Sequence, residues 1–228
     1  MTPPTTKTPP PSTLNQYPPP EALDTIIELK VGQHSNIKSF FVHKGLITFY
    51  SSFFRAAFCG KFAEAASGAV SLPNEDAATV EAFIIWIYFR TPPMCTAENP
   101  KFIPIWELWT LADAWQTPMM ANALIDCMRD RVVKIWALPE HRLDVVYNKT
   151  LEHAGLRRFV TMVIVAAVPN EDLKKLQEEL EWSSDVKLGI FQELLSHGTN
   201  RKLIGQEDLA VLDLCQYHQH EEGVRCSE

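Results

Sequence analysis

A short apolar strand that runs directly into an amphipathic helix is the feature that most constrains this chain. Residues 40–62 read FFVHKGLITFYSSFFRAAFCGKF, in which large apolar residues recur at steps of three and four. They are Leu46, Phe49, Tyr50, Phe53, Phe54, Ala57 and Phe58. This spacing places the side chains on one broad face of a helix. Because such a face must be buried, the pattern predicts a domain packed around this segment.

A β-hairpin is predicted just ahead of this helix, at residues 25–43. Ile27, Leu29 and Val31 alternate with two charged residues, which is the period of a strand with one buried face. Residues 32–36 supply a polar turn, and a second alternating run follows it. The chain therefore begins its folded part with two antiparallel strands.

Helical patterns dominate the part of the chain that follows. Residues 68–72 predict a third short strand, and the next helix carries Phe83 on an apolar face. Helical spacing starts again at residue 105 and resumes after Pro118, which favours the first turn of a helix. We expect both Phe53 and Phe83 to lie in the buried core of the domain.

The order of strand, charged turn, apolar helix, serine break and second Phe-rich helix resembles the signature of the BTB/POZ domain. The matching residues are Phe41, His43, Lys44, Leu46, Ser51, Ser52, Phe53, Phe54, Phe62 and Glu64. The helices around residues 108–113 and 121–126 are similar to the pair that closes the BTB core. The resemblance implies an α+β fold over residues 22–137, with a small sheet packed on a cluster of helices.

The resemblance also implies a homodimer. In BTB dimers, an aspartate at the start of the first strand and a basic residue just after the strand-to-helix histidine line a charged pocket at the interface. Asp24 and Lys44 match these two positions. Leu46, Phe49 and Tyr50, on the helix that begins at Lys44, are expected to belong to the same interface.

Most members of this family are protein–protein interaction modules without a catalytic site, so the resemblance implies a binding or scaffold function with protein partners. Some relatives are substrate adaptors of cullin-type ubiquitin ligases, which leaves a cullin as an alternative partner. No kelch repeat or MATH domain is recognisable in the sequence. The alternative function is that of an enzyme whose site lies among the aromatic helices. Such a site would need a concave pocket with convergent polar groups.

Four segments are predicted along the chain. Residues 1–21 contain half of the 16 prolines and few apolar residues, so we expect a disordered tail. After the domain at 22–137, the resemblance narrows to fungal-type members with an all-α extension, here residues 138–195. The matching features are Tyr147-x-x-Thr150 and Leu156-Arg157. The polar residues 196–228 are expected to form a flexible C-terminal tail.

Charge and cysteine content limit the possible partners and compartments. The net charge of -7 argues against a nucleic-acid ligand, because surfaces that bind phosphates are usually basic. The five cysteines form no CxxC pair, and we expect reduced thiols. A leader sequence and a long apolar run are both absent, so a cytoplasmic or nuclear protein that does not enter a membrane is expected.

Two groups of residues invite a chemical interpretation. His43 would need a nucleophile and an orienting carboxylate to act in catalysis, and no such set occurs at recognisable spacing, so a structural role at the strand-to-helix junction is expected.

Cys215-x-x-His218-x-His220 with Cys226 contains ligand types that zinc accepts. Because these residues fall in an acidic, irregular end of the chain, we expect no metal there. No phosphate-binding or dinucleotide motif occurs, so no cofactor is expected.

Overall fold

The computed structural model describes residues 17–93, 105–137, 143–198, 201–220 and 226. Its sheet contains three strands in the order β2-β1-β3. They are β1 (Ile26–Val31), β2 (Lys38–His43) and β3 (Ala69–Leu72). The central strand β1 is antiparallel to β2 and parallel to β3. The alternating side chains of β1 that point inward, Ile27, Leu29 and Val31, are buried as their spacing predicted.

Six helices cover this sheet and complete the N-terminal domain within the described residues. They are α1 (Lys44–Tyr50), α2 (Ser52–Cys59), α3 (Ala63–Ser67), α4 (Ala77–Phe89), α5 (Ile105–Ala114) and α6 (Pro118–Ile135). Helix α4 packs against α1, β2 and α5, and α5 packs against α6. The result is the small sheet on a helical cluster that the sequence predicted.

Ser51 explains why two short helices replace one long helix after β2. Its side chain is fully buried and accepts a hydrogen bond from the Phe54 backbone nitrogen at 3.1 Å, which caps α2. The same hydroxyl donates to the Trp115 carbonyl at 2.6 Å, just after the end of α5. One serine therefore sets the break between α1 and α2 and ties it to the helical pair.

The prediction that Phe83 lies in the core is confirmed, but the same prediction for Phe53 is wrong. Phe83 is 0% exposed, whereas Phe53 is 38% exposed. Helix α2 turns Phe54 and Phe58, four residues apart, into the core instead. Phe53 lies about 100° away from Phe54 on that helix, and its ring stacks on Trp115 at 6.5 Å with its outer edge in solvent.

The C-terminal part of the chain is helical and continues the same hydrophobic core. Its helices are α7 (Leu143–Lys149), α8 (Gly155–Ala167), α9 (Asn170–Glu179), α10 (Ser184–His197) and α11 (Gln206–Ala210). Helix α8 packs against α6, α7 and α10, and α11 also packs against α6. The extension therefore rests on the last helix of the N-terminal domain.

The structure differs from the expectation of a flexible tail after residue 195. Helix α10 continues to His197, and the side chains of Leu209, Leu214 and Tyr217 are buried. The Ile204 backbone nitrogen also donates to the Ala166 carbonyl at 2.9 Å. Residues 199–200, 221–225 and 227–228 lie outside the described part of the chain.

The beginning of the chain differs from the expected boundary as well. Residues 1–16 of the predicted tail lie outside the described part of the chain. Pro20–Leu23 form a 3-10 helix whose Ala22 is buried against Gly45. A Cβ atom on Gly45 would come within 2.4 Å of the Ala22 Cα, so only glycine permits this approach. The packed structure therefore begins a little earlier than residue 22.

The cysteines only partly follow the expectation of reduced thiols. Cys59, Cys215 and Cys226 are free, but Cys127 on α6 is disulfide-bonded. No helix among the described residues is long and apolar enough to span a membrane.

Candidate functional site

His43 lies at the junction of β2 and α1 and is bound to α4. The Tyr88 phenol oxygen accepts a hydrogen bond from the His43 backbone nitrogen at 3.2 Å and lies 2.7 Å from the His43 Nδ1 atom. The two rings meet edge to face. The tyrosine therefore holds the histidine between strand and helix, an arrangement that serves to fix the junction.

Asp24 and Lys44 are neighbours of this junction. The Lys44 backbone nitrogen donates to the Thr25 carbonyl at 2.7 Å, which brings the start of α1 beside the residue that follows Asp24. The Asp24 side chain is exposed and the Lys44 side chain is half-buried. Within the described residues, neither side chain forms a hydrogen bond or ion pair. Both charges therefore remain available to a second molecule.

Large apolar side chains are exposed around these charges. Leu23, Ile26 and Phe41 are 52%, 60% and 68% exposed. In the sheet, Phe41 pairs with Glu28, so Phe41 and Ile26 lie diagonally on the same outward face. We call Ile26 and Phe41, together with Leu23 at the end of the 3-10 helix just before β1, the apolar sheet surface. Grouped exposed side chains of this size indicate an interaction site more strongly than scattered ones do.

The other residues expected at the dimer interface are mostly inside the molecule. Leu46 and Tyr50 are only 4% and 5% exposed, and Phe49 is half-buried with its ring edge-on to Tyr50 at 5.0 Å. In this structure Leu46 and Tyr50 stabilise the core and do not present a surface to a partner. The physical reason is that α1 is a short helix covered by α4, so its apolar face is already occupied.

Three residues of the sequence signature lie at the surface around α2 and α3. Ser52 is exposed and its hydroxyl donates to the Gln116 side-chain oxygen. Phe62 is 61% exposed, and Glu64 is half-buried in the first turn of α3. Within the described residues, none of these three side chains contacts Asp24 or Lys44.

A groove of about 620 Å³ lies between α9 and α10. Its charged lining residues are Lys174, Lys187 and Arg201, and the remaining lining residues include no carboxylate, histidine, serine or cysteine. Acid–base chemistry needs a proton donor and acceptor with matched pKa values that converge on one point. The groove does not bring such a pair together.

The cysteine and histidine residues near the C-terminus do come together, contrary to the expectation that they fall in a loose tail. The Nε2 atom of His220 lies 3.4 Å from the sulfur of Cys215 and 3.4 Å from the sulfur of Cys226. His218 Nδ1 lies 3.1 Å from the Cys226 sulfur. Burial raises the pKa of the Cys226 thiol to about 11 and lowers the pKa of the His220 imidazole.

Two residues on α6 that carried no signal in the sequence support this group. The Asn122 side chain makes two hydrogen bonds to the backbone of Gln219, accepting at 2.7 Å and donating at 3.1 Å. An Asp126 carboxylate oxygen lies 3.2 Å from His218 Nε2. Both residues lie in an ordinary amphipathic helix about a hundred positions away in sequence, so no local pattern could have identified them.

Comparison with known proteins agrees with the fold. Residues 22–128, just under half of the chain, match the family model of the BTB/POZ domain. This range covers the sheet and α1–α5 together with the first part of α6. No curated protein matches the chain.

Proposed function

From the BTB/POZ domain at residues 22–128, which is a protein–protein interaction domain, we propose that this chain works as an interaction or scaffold module in the form of a homodimer. The observation that carries the proposal is the pair of unbound charges, Asp24 and Lys44, beside the apolar sheet surface. In a two-fold contact the same patch occurs on both subunits. Asp24 of one subunit would then meet Lys44 of the other, and the reverse pair would form at the same time.

Burial of the apolar sheet surface in a dimer would contribute a free energy comparable to the cost of association. Fully burying a large apolar side chain stabilises by about 1.5–3 kcal/mol, so side chains that are half to two-thirds exposed would each gain roughly 1–2 kcal/mol. Six such side chains across a two-fold interface would contribute roughly 6–12 kcal/mol. Association itself costs an estimated 4–15 kcal/mol, so the two charge pairs would decide whether the dimer is stable.

The first test is the mass of the unmutated chain by light scattering after size exclusion, at tens of micromolar protein. One chain has a mass of 25.9 kDa, so the dimer predicts about twice that value, near 52 kDa. Lys44→Glu places like charges together twice and should shift the protein to monomer, because an uncompensated charge at an interface typically costs about 3–5 kcal/mol. Lys44→Arg keeps the charge and should remain mostly dimeric.

Two further variants make this test specific. The charge-swapped double variant Asp24→Lys with Lys44→Glu should recover the dimer, because it restores both pairs with reversed signs. Lys61→Glu, at an exposed lysine of the loop before α3, is the matched control and should stay dimeric. A monomer mass for the unmutated chain would contradict the proposal, as would equal effects of Lys44→Glu and Lys61→Glu. We do not extend the proposal to a cullin, because no described residue indicates one as the partner.

A further inference from the structure

Three potential metal ligands from a 12-residue segment meet beside α6, and a fourth lies next to one of them. The ligand atoms of Cys215, His220 and Cys226 all lie within 4.8 Å of one another. His218 joins them through its Nδ1 atom, 3.1 Å from the Cys226 sulfur. All four residues are partly shielded from solvent. Two thiols and two imidazoles thus face each other in a small volume.

The separations match the edges of a tetrahedral metal site. With Zn–S near 2.3 Å and Zn–N near 2.05 Å, a tetrahedral angle puts a sulfur and a nitrogen ligand about 3.6 Å apart. The three sulfur–nitrogen distances in the cluster are 3.4, 3.4 and 3.1 Å. Small movements of the side chains would place one ion among Cys215, His220 and Cys226, and His218 would turn towards that ion to become the fourth ligand.

Neighbouring groups are arranged as they are around bound metals. A ligating histidine usually donates its other ring nitrogen to a carboxylate, which fixes the ring and its tautomer. Here His218 directs Nδ1 toward the cluster, and its buried Nε2 lies 3.2 Å from the Asp126 carboxylate, within ion-pair distance but without a hydrogen bond among the described residues. The Cys215 sulfur accepts a hydrogen bond from the Cys226 backbone nitrogen at 3.3 Å, a contact that stabilises a thiolate ligand. Among the described residues, the buried Nδ1 atom of His220 has no partner.

The backbone that carries the ligands is held in place before any ion binds. A 3-10 turn at Cys215–Tyr217 brings Cys215 and His218 to the same side. The Tyr217 ring packs edge to face on Phe159 of α8 at 5.5 Å, and Asn122 holds the peptide of Gln219 between the two histidines. A preorganised ligand set of this kind binds a metal with less loss of conformational entropy.

We propose that Cys215, His218, His220 and Cys226 bind one zinc ion, which fixes the conformation of the C-terminal segment that packs against α6 and α8. Two thiolates and two neutral imidazoles form a set that favours tetrahedral Zn²⁺ over the oxygen-preferring Mg²⁺ or Ca²⁺. The two cysteine thiols release their protons to solvent when they become thiolate ligands, and no oxidation state changes. Four protein ligands close the coordination shell, so the ion has a structural role and not a catalytic one.

The test is the metal content of the full chain, purified without chelator, loaded with zinc under reducing and anaerobic conditions, and then dialysed. Elemental analysis should find about one zinc ion per chain. Cobalt substitution should give the strong visible absorption of tetrahedral Co²⁺ together with a thiolate charge-transfer band. Cys226→Ser and His220→Ala should abolish both signals, whereas Cys226→His, which replaces one ligand by another, should retain zinc.

Two control variants and one variant of a residue beside the cluster test whether zinc binding is specific to these ligands. Cys59→Ser and His153→Gln change exposed residues of the same types outside the cluster and should bind zinc as the unmutated chain does. Asp126→Asn should lower the affinity for zinc about 10–100-fold, as measured by competition with a chromophoric chelator, because it removes only the carboxylate behind His218.

Three outcomes would overturn the proposal. One is an unmutated chain that holds no zinc and gives no tetrahedral cobalt spectrum. Another is full zinc content in the Cys226→Ser and His220→Ala variants. The third is a disulfide between Cys215 and Cys226 that survives reductant at neutral pH, detected by peptide mass spectrometry. If a ligand variant fails to fold, the cobalt spectrum of the unmutated chain still shows whether the chain binds a metal ion in a tetrahedral thiolate site.

Discussion

Gly155→Ala is the substitution that tests most directly whether the C-terminal segment is seated on the extension. Gly155 is the first residue of α8, and a Cβ atom there would lie 1.9 Å from the Tyr217 carbonyl oxygen. Ordinary contact between such atoms needs about 3.5 Å, so one of the two backbones must move by about 1.5 Å. Because α8 is buried on most sides, we expect the C-terminal segment to move.

The expected loss of stability follows from the contacts that this movement breaks. The two hydrogen bonds between Asn122 and Gln219 are worth about 1 kcal/mol each. The ring pair of Phe159 and Tyr217 adds about 0.5–1.5 kcal/mol. Alanine is about 0.5–1 kcal/mol better than glycine in a helix, which offsets part of the loss. The free energy of unfolding should therefore fall by roughly 2–3 kcal/mol.

Thermal and urea denaturation of the full chain measure this change. A loss of 2–3 kcal/mol corresponds to a melting temperature about 4–12 °C lower for a protein of this size. Gly205→Ala is the control, because its Cβ would meet no atom closer than the Asp208 carboxylate at 3.8 Å, so its effect should stay within about 0.5 kcal/mol. If Gly155→Ala is as stable as the control variant, Tyr217 does not rest on α8. A destabilised Gly155→Ala in a chain that binds no zinc would mean that the segment docks without a metal.

Further substitutions test the packing around α2. Phe54→Ala should lower the free energy of unfolding by about 3–5 kcal/mol because the ring is fully buried, whereas Phe53→Ala should cost only about 1–2 kcal/mol. Equal melting temperatures of the two variants would contradict this assignment of the core face. Ser51→Ala should cost about 2–3 kcal/mol, since it removes the cap of α2 and leaves the Trp115 carbonyl without its 2.6 Å donor. Ser52→Ala, one position later and exposed, should change the free energy of unfolding measured in urea by less than about 0.5 kcal/mol.

The proposed dimer surface and the proposed zinc site use different parts of the chain. The proposed dimer surface uses residues near the start of the domain, where one backbone hydrogen bond places Lys44 beside Thr25. The proposed zinc ligands all lie in residues 215–226, and α6 contacts this segment through Asn122 and Asp126. A zinc ion there would stabilise the segment that rests on α6, a helix that begins within the matched range 22–128 and also packs against α8 and α11.

Local sequence patterns are sufficient for the main elements of the domain, whereas its fold class is implied by the resemblance to the BTB/POZ signature. The alternation of apolar residues in β1 predicts its buried face correctly, because each buried side chain is two residues from the next along an extended strand. The same kind of reasoning was insufficient at Phe53 and Phe54. Both residues lie on an apolar arc wide enough to include either as the core residue, and only the position of Trp115 decides which ring is enclosed.

Hydrophobic periodicity acts over a few positions and therefore locates strands and helices in the sequence, whereas the small sheet packed on helices and the helical extension are what the resemblance to the BTB/POZ signature implies. The enclosure of Leu46 and Tyr50 and the convergence of Cys215, His220 and Cys226, with His218 next to Cys226, depend on tertiary packing. The C-terminal segment does carry apolar residues, Leu209, Leu212 and Leu214 among them, but its cysteine and histidine residues show no local pattern that predicts their convergence. Its order depends on contacts such as Asn122 with Gln219, which join residues 97 positions apart and therefore leave no trace in local sequence.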